Sequence, residues 1–297
     1  MGFGQHQSFY LREGWLYKGL EIVNLDKFQL HKSDAFEKMG IGKNMLSALQ
    51  FWLVATEVLT FDVKEKSYAM TDFGQTIFEY DATLNMPLTR AMIHYKLASN
   101  TEIVDLNGRR SAAVIYWFFN ELDGNIFDKE FLLKRYIEWV AKYKDISENS
   151  LKRDINVLTQ MYDMEGSYED PEDVLHSPLS QLELVSRQTD IIKVEGKIEN
   201  ITEEAVYYNI LDYLISRELD SLTLGELVNS PLLPGRIFNL KQDELLKVIF
   251  SLKKKNLIEF TQTNNLDTLR VHNYPENIND ILKTYYQESG ELSESVI

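Results

Sequence analysis

Residues 33–81 run SDAFEKMGIGKNMLSALQFWLVATEVLTFDVKEKSYAMTDFGQTIFEYD, and their punctuation decides the fold. Ser33 can accept from the open amides of a following turn, which predicts a short helix that stops at Gly40-Ile41-Gly42. A second helix starts at about Lys43. Its apolar residues Met45, Leu49, Trp52 and Leu53 recur at helical spacing, while Asn44, Ser47 and Gln50 take other faces. Val58-Leu59-Thr60-Phe61 is then a β-branched and apolar strand, Lys64-Glu65-Lys66 a charged tip, and Tyr68-Ala69-Met70-Thr71 the returning strand. Helix, turn, helix and hairpin in this order read as a winged helix-turn-helix, with the tip as its wing. Such a module lays the start of its second helix in the major groove, presenting Lys43 and Asn44 to phosphate or a base edge, with Lys64 and Lys66 on the wing. Winged helices also dock proteins or act as spacers, so the fold alone leaves function open.

Composition bounds the rest. A chain of 297 residues with 44% hydrophobic content is long enough for two or three small cores. A net charge of -15 argues against coating nucleic acid non-specifically, because phosphate contact draws on clustered Lys and Arg. Any DNA contact is therefore local. Residues 1–60 carry six basic and six acidic side chains, whereas residues 163–204 carry twelve acids and three bases. Such a charge block belongs to solvated faces and interaction segments. Cysteine is absent, which excludes a disulfide frame, a thiolate nucleophile and cysteine metal ligands, and fits the cytoplasm. The N-terminus lacks the apolar centre of a signal peptide, and no apolar run approaches the length of a membrane span.

On the N-terminal side, a helix is expected from about Phe9, with Phe9 and Trp15 packed on the winged module and Arg12 and Lys18 solvated at the rim. The functional alternative is a phosphate or substrate pocket of His6, Arg12 and Lys18 facing Lys43. On the C-terminal side, MPLTRAMIHYKLAS and SAAVIYWFFNEL read as buried connecting helices, with Arg109 and Arg110 exposed between them. His94 has no companion histidine at metal-ligand spacing and reads as a core residue. Residues 128–163 form a second helix-turn-helix candidate, with Ser147 as a cap and the basic pair Lys152 and Arg153 partly neutralised by Asp154. Residues 165–201 are acidic, and TDIIKVEGKIEN within them alternates as a strand does. There Asp190, Glu195 and Lys197 resemble the acid, acid-x-lysine set with which nucleases hold Mg²⁺, a short motif common in acidic chains. Residues 203–273 repeat the theme of helices followed by a two-strand ribbon, with Lys253, Lys254 and Lys255 where a helix dipole favours cations.

HQSFYLREGWLYKGL, MGIGKNMLSALQFWL, TDFGQTIF, SPLSQLELV and SPLLPGRIFNL together resemble a bacterial family of formally unknown function. That family is found beside sulfur-transfer proteins related to phosphoadenosine-phosphosulfate reductases, in DNA phosphorothioation and phage-defence gene clusters. His6, Arg12, Trp15, Lys18, Gly42, Lys43 and Asn44 match its N-terminal pattern, and Gly235 and Arg236 its C-terminal one. The resemblance implies DNA, and the sulfur-transfer and ATPase proteins of the modification system, as partners. It also implies a counterpart of the component of the single-strand phosphorothioation (Ssp) system that nicks DNA so that sulfur can be introduced. The motifs are structural, so the nicking residues do not carry over.

No Walker P-loop, dinucleotide fingerprint or zinc spacing is present, and the Asp72-Phe73-Gly74 triplet stands without the other parts of a kinase. The expected fold is mainly α with small β-wings, in multiple winged helix-turn-helix-like units joined by helices. Its divisions fall at 1–81, 82–164, 165–202 and 203–297. Candidate nucleic-acid residues are Arg12, Lys18, Lys43, Asn44, Lys64, Lys66, Arg109, Arg110, Lys152, Arg153 and Arg236. The expected role is that of a DNA-engaging component of the modification and defence system. The alternatives are an Mg²⁺-dependent nickase built on Asp190, Glu195 and Lys197, and a non-catalytic adaptor or transcription regulator that docks proteins through its winged helices. Self-association is left open.

Overall fold

A computed structural model of the chain describes residues 3–102, 112–163, 176–262 and 267–294. It is mainly α with small antiparallel sheets. The first helix, α1 (Trp15–Leu25), starts six residues later than the spacing of Phe9 onward suggests. Gly14 precedes it at φ +75, a left-handed conformation that glycine adopts without steric cost and that cannot continue a helix. Next come α2 (Ala35–Met39) and α3 (Lys43–Ala55). Gly40 closes α2 at φ +66, as a left-handed helix stop requires. Ser33 does not cap α2. The capping position falls to Asp34, whose carboxylate turns to Lys38 at 3.0 Å and to the Gln29 amide at 3.2 Å.

Helix α3 buries Leu49, Phe51, Trp52 and Leu53, and the Trp52 indole donates to the Phe9 carbonyl at 3.0 Å. Burying such side chains stabilises by about 1.5–3 kcal/mol each, which fixes this helix by its inner face and leaves its start in solvent. The hairpin follows, β1 (Leu59–Asp62) and β2 (Ser67–Met70), with Leu59 opposite Met70 and Asp62 opposite Ser67. Helix α4 (Asp72–Tyr80) begins at once, its Thr71 cap accepting from the Gly74 amide at 2.9 Å. The Asp72-Phe73-Gly74 triplet is thus the first turn of a capped helix.

Helix α5 (Pro87–Ser99) is buried on every face and runs through the centre of the chain. Its His94 is wholly enclosed: Nε2 donates to the Ile237 carbonyl at 2.7 Å, so Nδ1 accepts from the Tyr162 hydroxyl at 2.6 Å. Burial pushes its pKa down to about 4, as befits a structural imidazole held neutral. Helix α6 (Ala113–Tyr116) passes into a π-turn at Trp117–Glu121. Then come β3 (Ile126–Phe127), α7 (Lys129–Val140) and α8 (Glu148–Tyr162), the last capped by Ser147 as expected.

The acidic stretch is not solvated throughout. Its residues 164–175 lie outside the described residues, but the 3-10 turn Pro178–Leu182 is core, with Leu179, Leu182 and Leu184 fully buried. Strands β4 (Val185–Arg187) and β5 (Ile191–Lys193) complete a sheet of order β3-β5-β4. After α9 (Ile198–Ile201), the C-terminal part runs α10 (Glu203–Arg217), β6 (Ser221–Thr223), α11 (Leu224–Asn229), α12 (Pro234–Ile237), α13 (Gln242–Lys254), β7 (Ile258–Gln262) and β8 (Asp267–Val271). The expected two-strand ribbon is a three-strand sheet of order β6-β8-β7, because the short β6 pairs with β8. Helix α14 (Asp280–Glu294) returns to the N-terminal part, where Tyr286 stacks on Tyr80 at 5.5 Å and meets the Thr89 hydroxyl at 2.7 Å. One hydrophobic cluster runs from Phe3 to Tyr286.

Candidate nucleic-acid interface

The first turn of α3 is exposed. Gly42 takes the capping position with extended backbone and no side chain to offer, and no acidic residue lies in the first turn. The amides of that turn and the positive end of the helix dipole therefore face solvent, an arrangement suited to an anion. Lys43 and Asn44 stand exposed beside them. Lys43 Nζ lies 5.1 Å from the Phe36 ring centroid, and no carboxylate pairs with it among the described residues. Ser47 is also exposed and donates to the Lys43 carbonyl at 3.2 Å.

The hairpin tip is tied by Asp62, whose carboxylate accepts from the Lys64 and Glu65 amides at 2.8 and 2.9 Å. Those bonds hold the Asp62 pKa below its ordinary value. Lys64 and Lys66 project from this fixed turn, both exposed. The Tyr68 amide donates to the Lys27 carbonyl at 3.0 Å, which joins the hairpin to the segment after α1.

Several other candidates are placed differently from the sequence reading. Arg12 is not at a solvated rim: it is 5% exposed, its guanidinium 5.6 Å from the Phe9 and Tyr10 centroids and 5.9 Å from that of Trp15. Lys18 is exposed as expected. His6 is buried, Nε2 sitting 2.8 Å from the Asp154 carboxylate, so it does not open onto a pocket with Lys18. Asp154 does not neutralise the basic pair on α8. It points inward and accepts from the Gly4 amide at 2.9 Å and the Tyr136 hydroxyl at 3.2 Å, clamping the N-terminal strap to α8. Lys152 pairs instead with Glu148 at 2.8 Å, and Arg153 is exposed. Arg109 and Arg110 lie outside the described residues.

Two members of the proposed Mg²⁺ set are engaged in other ion pairs. Glu195 is paired with Lys241 and Lys197 with Glu183 at 2.5 Å, while Asp190 sits in the β4–β5 turn. Among the described residues no group of three or more His, Asp or Glu is arranged to hold a metal ion.

Arg236 is part of a different feature, a cavity of about 680 Å³ lined by Asp123, Lys193, Glu195, Arg236, Lys241 and Asp243 among others. Arg236 Nε donates to the Asn229 carbonyl at 3.0 Å and Nη2 meets the Asp123 carboxylate at 2.7 Å. The sequence reading missed Lys193, although the alternation of β5 places it on the same face as buried Ile191.

Two solved structures share this architecture. A structure described as magnesium ion-bound SspB superposes with a TM-score of 0.83 at 20% identity, over 96% of this chain and 88% of that one. A second SspB structure gives 0.82 at 20% identity with the same coverage. At this identity the likeness is one of fold. No curated protein sequence matches. The family described as protein of unknown function DUF4007 matches residues 3–286, and the chain belongs to that family.

Proposed function

We propose that this chain is the DNA-engaging component of a bacterial DNA phosphorothioation and phage-defence system, with α2, α3 and the β1–β2 hairpin acting as a winged helix-turn-helix. The observation that carries the reading is the start of α3: exposed, uncapped by any side chain, free of acidic residues, and flanked by Lys43 and Asn44. In a chain of net charge -15, such a local opening is where a phosphate backbone can approach. Lys43 and the first-turn amides hold phosphate, Asn44 reaches a base edge, and Lys64 and Lys66 touch the neighbouring backbone from the wing. The shared fold with SspB and the family motifs supply the phosphorothioation context. Nicking for sulfur incorporation is the activity this context suggests.

A second reading, a protein-docking adaptor, is favoured by one observation. Leu25, Phe28 and Val63, near or on the hairpin, are 81%, 42% and 58% exposed, and such side chains suit a protein partner. Binding of a short duplex by the purified chain, followed by fluorescence anisotropy across salt concentrations, separates the two. The DNA reading expects salt-sensitive binding that weakens about tenfold or more in the double variant Lys43→Ala, Asn44→Ala. No binding at low salt would refute it and leave the adaptor. Plasmid nicking measured alongside, with and without Mg²⁺, reports the catalytic step separately.

A further inference from the structure

The cavity beside Arg236 has its charges in layers. At its floor Lys193 is only 8% exposed, with Nζ donating to the Leu122 carbonyl at 2.6 Å and lying 5.0 and 5.9 Å from the Phe118 and Phe127 centroids. That carbonyl is the one hydrogen-bond acceptor of its ammonium among the described residues, which leaves donors for something else. Arg236 forms the adjoining wall. Burial, and then the nearby Arg236 charge, lower the Lys193 pKa to about 7. The carboxylates lie further out. The Asp123 side chain is 84% exposed, Asp243 is exposed, and Glu195 is held by Lys241. Lys193 thus lies inside with no carboxylate partner among the described residues, while the partly exposed Arg236 is paired with Asp123 nearer the rim.

We propose that this cavity binds a small phosphate-bearing ligand, no larger than a mononucleotide, with its phosphate between Lys193 and Arg236. A phosphate there supplies the counter-charge that Lys193 lacks and accepts charge-assisted hydrogen bonds from Lys193 and from the donors that Arg236 keeps beyond those given to Asn229 and Asp123. The volume lies in the range of small-molecule sites. The acidic mouth disfavours a DNA strand, which brings a charge at every nucleotide, and admits a compact ligand. Gly235 in the lining keeps one wall close: a Cβ there would come within 2.1 Å of the Val228 carbonyl.

The test uses the full chain with deoxyadenosine monophosphate and inorganic phosphate as probes, and deoxyadenosine as the uncharged control. Acetylation of Lys193, followed by peptide mass, should slow several-fold with either phosphate probe and stay unchanged with the nucleoside. In calorimetry, Lys193→Met and Arg236→Gln should each weaken monophosphate binding by about tenfold or more. Affinity should fall as pH rises through about 7, where Lys193 loses its proton; Arg236, Asp123, Glu195, Lys241 and Asp243 are the other charged groups lining the site. Unchanged acetylation with millimolar monophosphate, or equal binding by the parent and Lys193→Met, would overturn the proposal. So would protection by a 5′-phosphorylated oligonucleotide but not by the monophosphate. The Lys43→Ala, Asn44→Ala variant should keep Lys193 protection intact, so a failure here is read separately from a failure of α3 as the DNA contact.

Discussion

Among the described residues an α-helix runs into an antiparallel ribbon at α3-β1-β2 and again at α13-β7-β8, and the two units differ in what they offer a polyanion. Helix α3 begins with Lys43 and Asn44 and has no acid in its first turn. Helix α13 begins with Asp243 and Glu244 in its first turn, and Glu244 is paired with Lys247. At the far end of α13, Lys253 donates to the Phe260 carbonyl at 2.9 Å and Lys255, just past the helix, is held by Glu203, while Lys254 is exposed. The N-terminal hairpin has two strands with an exposed basic tip, whereas the C-terminal one is a three-strand sheet extended by β6. The same succession of elements therefore opens its helix once with a lysine, an asparagine and no acid, and once with two acids. Charge placement, more than topology, separates the two units.

The largest way to break this contrast is to unclamp one unit and leave the other. Asp154→Ala strands buried His6, the Tyr136 hydroxyl and the Gly4 amide, and should cost about 3–5 kcal/mol in urea unfolding. Amide exchange should rise in α1 and α3 while α10 and α13 stay protected. A uniform rise would mean that the two units open together.

His94 sharpens the comparison from the centre, since it joins α5 and α8 to the Ile237 carbonyl beside the C-terminal unit. Its folded pKa of about 4 lies below the ordinary 6.5, so the unfolded chain binds the extra proton between those values. Stability from the neutral ring is full above pH about 6.5, falls as pH drops toward 4, and changes no further below that, a total of about 3 kcal/mol. His94→Gln should flatten that part of the stability profile relative to the parent, and an unchanged slope would count against the assignment.

A smaller effect is expected at the tip of the β1–β2 hairpin. Lys64→Ala with Lys66→Ala should weaken duplex binding by about threefold and reduce its salt slope by about one to two, as the loss of phosphate contacts predicts. The smallest effect belongs to the opposite unit: Lys253→Ala with Lys255→Ala should alter duplex affinity less than about twofold, because those ammonium groups already have partners. A larger change there would erase the distinction between the two units.

Local chemistry made the N-terminal module legible. Gly40 and Gly42 punctuate it, and the apolar spacing of α3 matches its buried face, so α3 begins at Lys43 as expected. His94 was equally readable, because a lone histidine among apolar neighbours has little else to do. What escaped depends on contacts distant in sequence. Arg12 is internal because its neighbours Phe9, Tyr10 and Trp15 are themselves carried against the distant α3, where Trp52 holds the Phe9 carbonyl, and Asp154 is internal because Gly4 and His6 return to it. A charged residue in an amphipathic run is normally solvated, and only the tertiary partner overrides that default. Strand β6 has three residues, too few for alternation to show. In the Asp190, Glu195 and Lys197 motif, members close in sequence meet partners distant from it, Lys241 for Glu195 and Glu183 for Lys197. Lys193 had a readable signal, a lysine on the apolar face of an alternating strand, whose consequence appears only when Arg236 arrives from a distant segment.

The most direct test exchanges the feature that separates the two helices. Duplex affinity would be measured at about 100 mM salt, where phosphate contacts still dominate, for the parent, for Asn44→Glu, and for Asp243→Asn with Glu244→Gln. Importing an acid into the first turn of α3 should weaken binding by about tenfold or more, and removing the acids from α13 should change it less than about twofold. Unchanged binding in Asn44→Glu, or a larger change from the α13 variant, would contradict the assignment of α3 as the DNA-contacting helix.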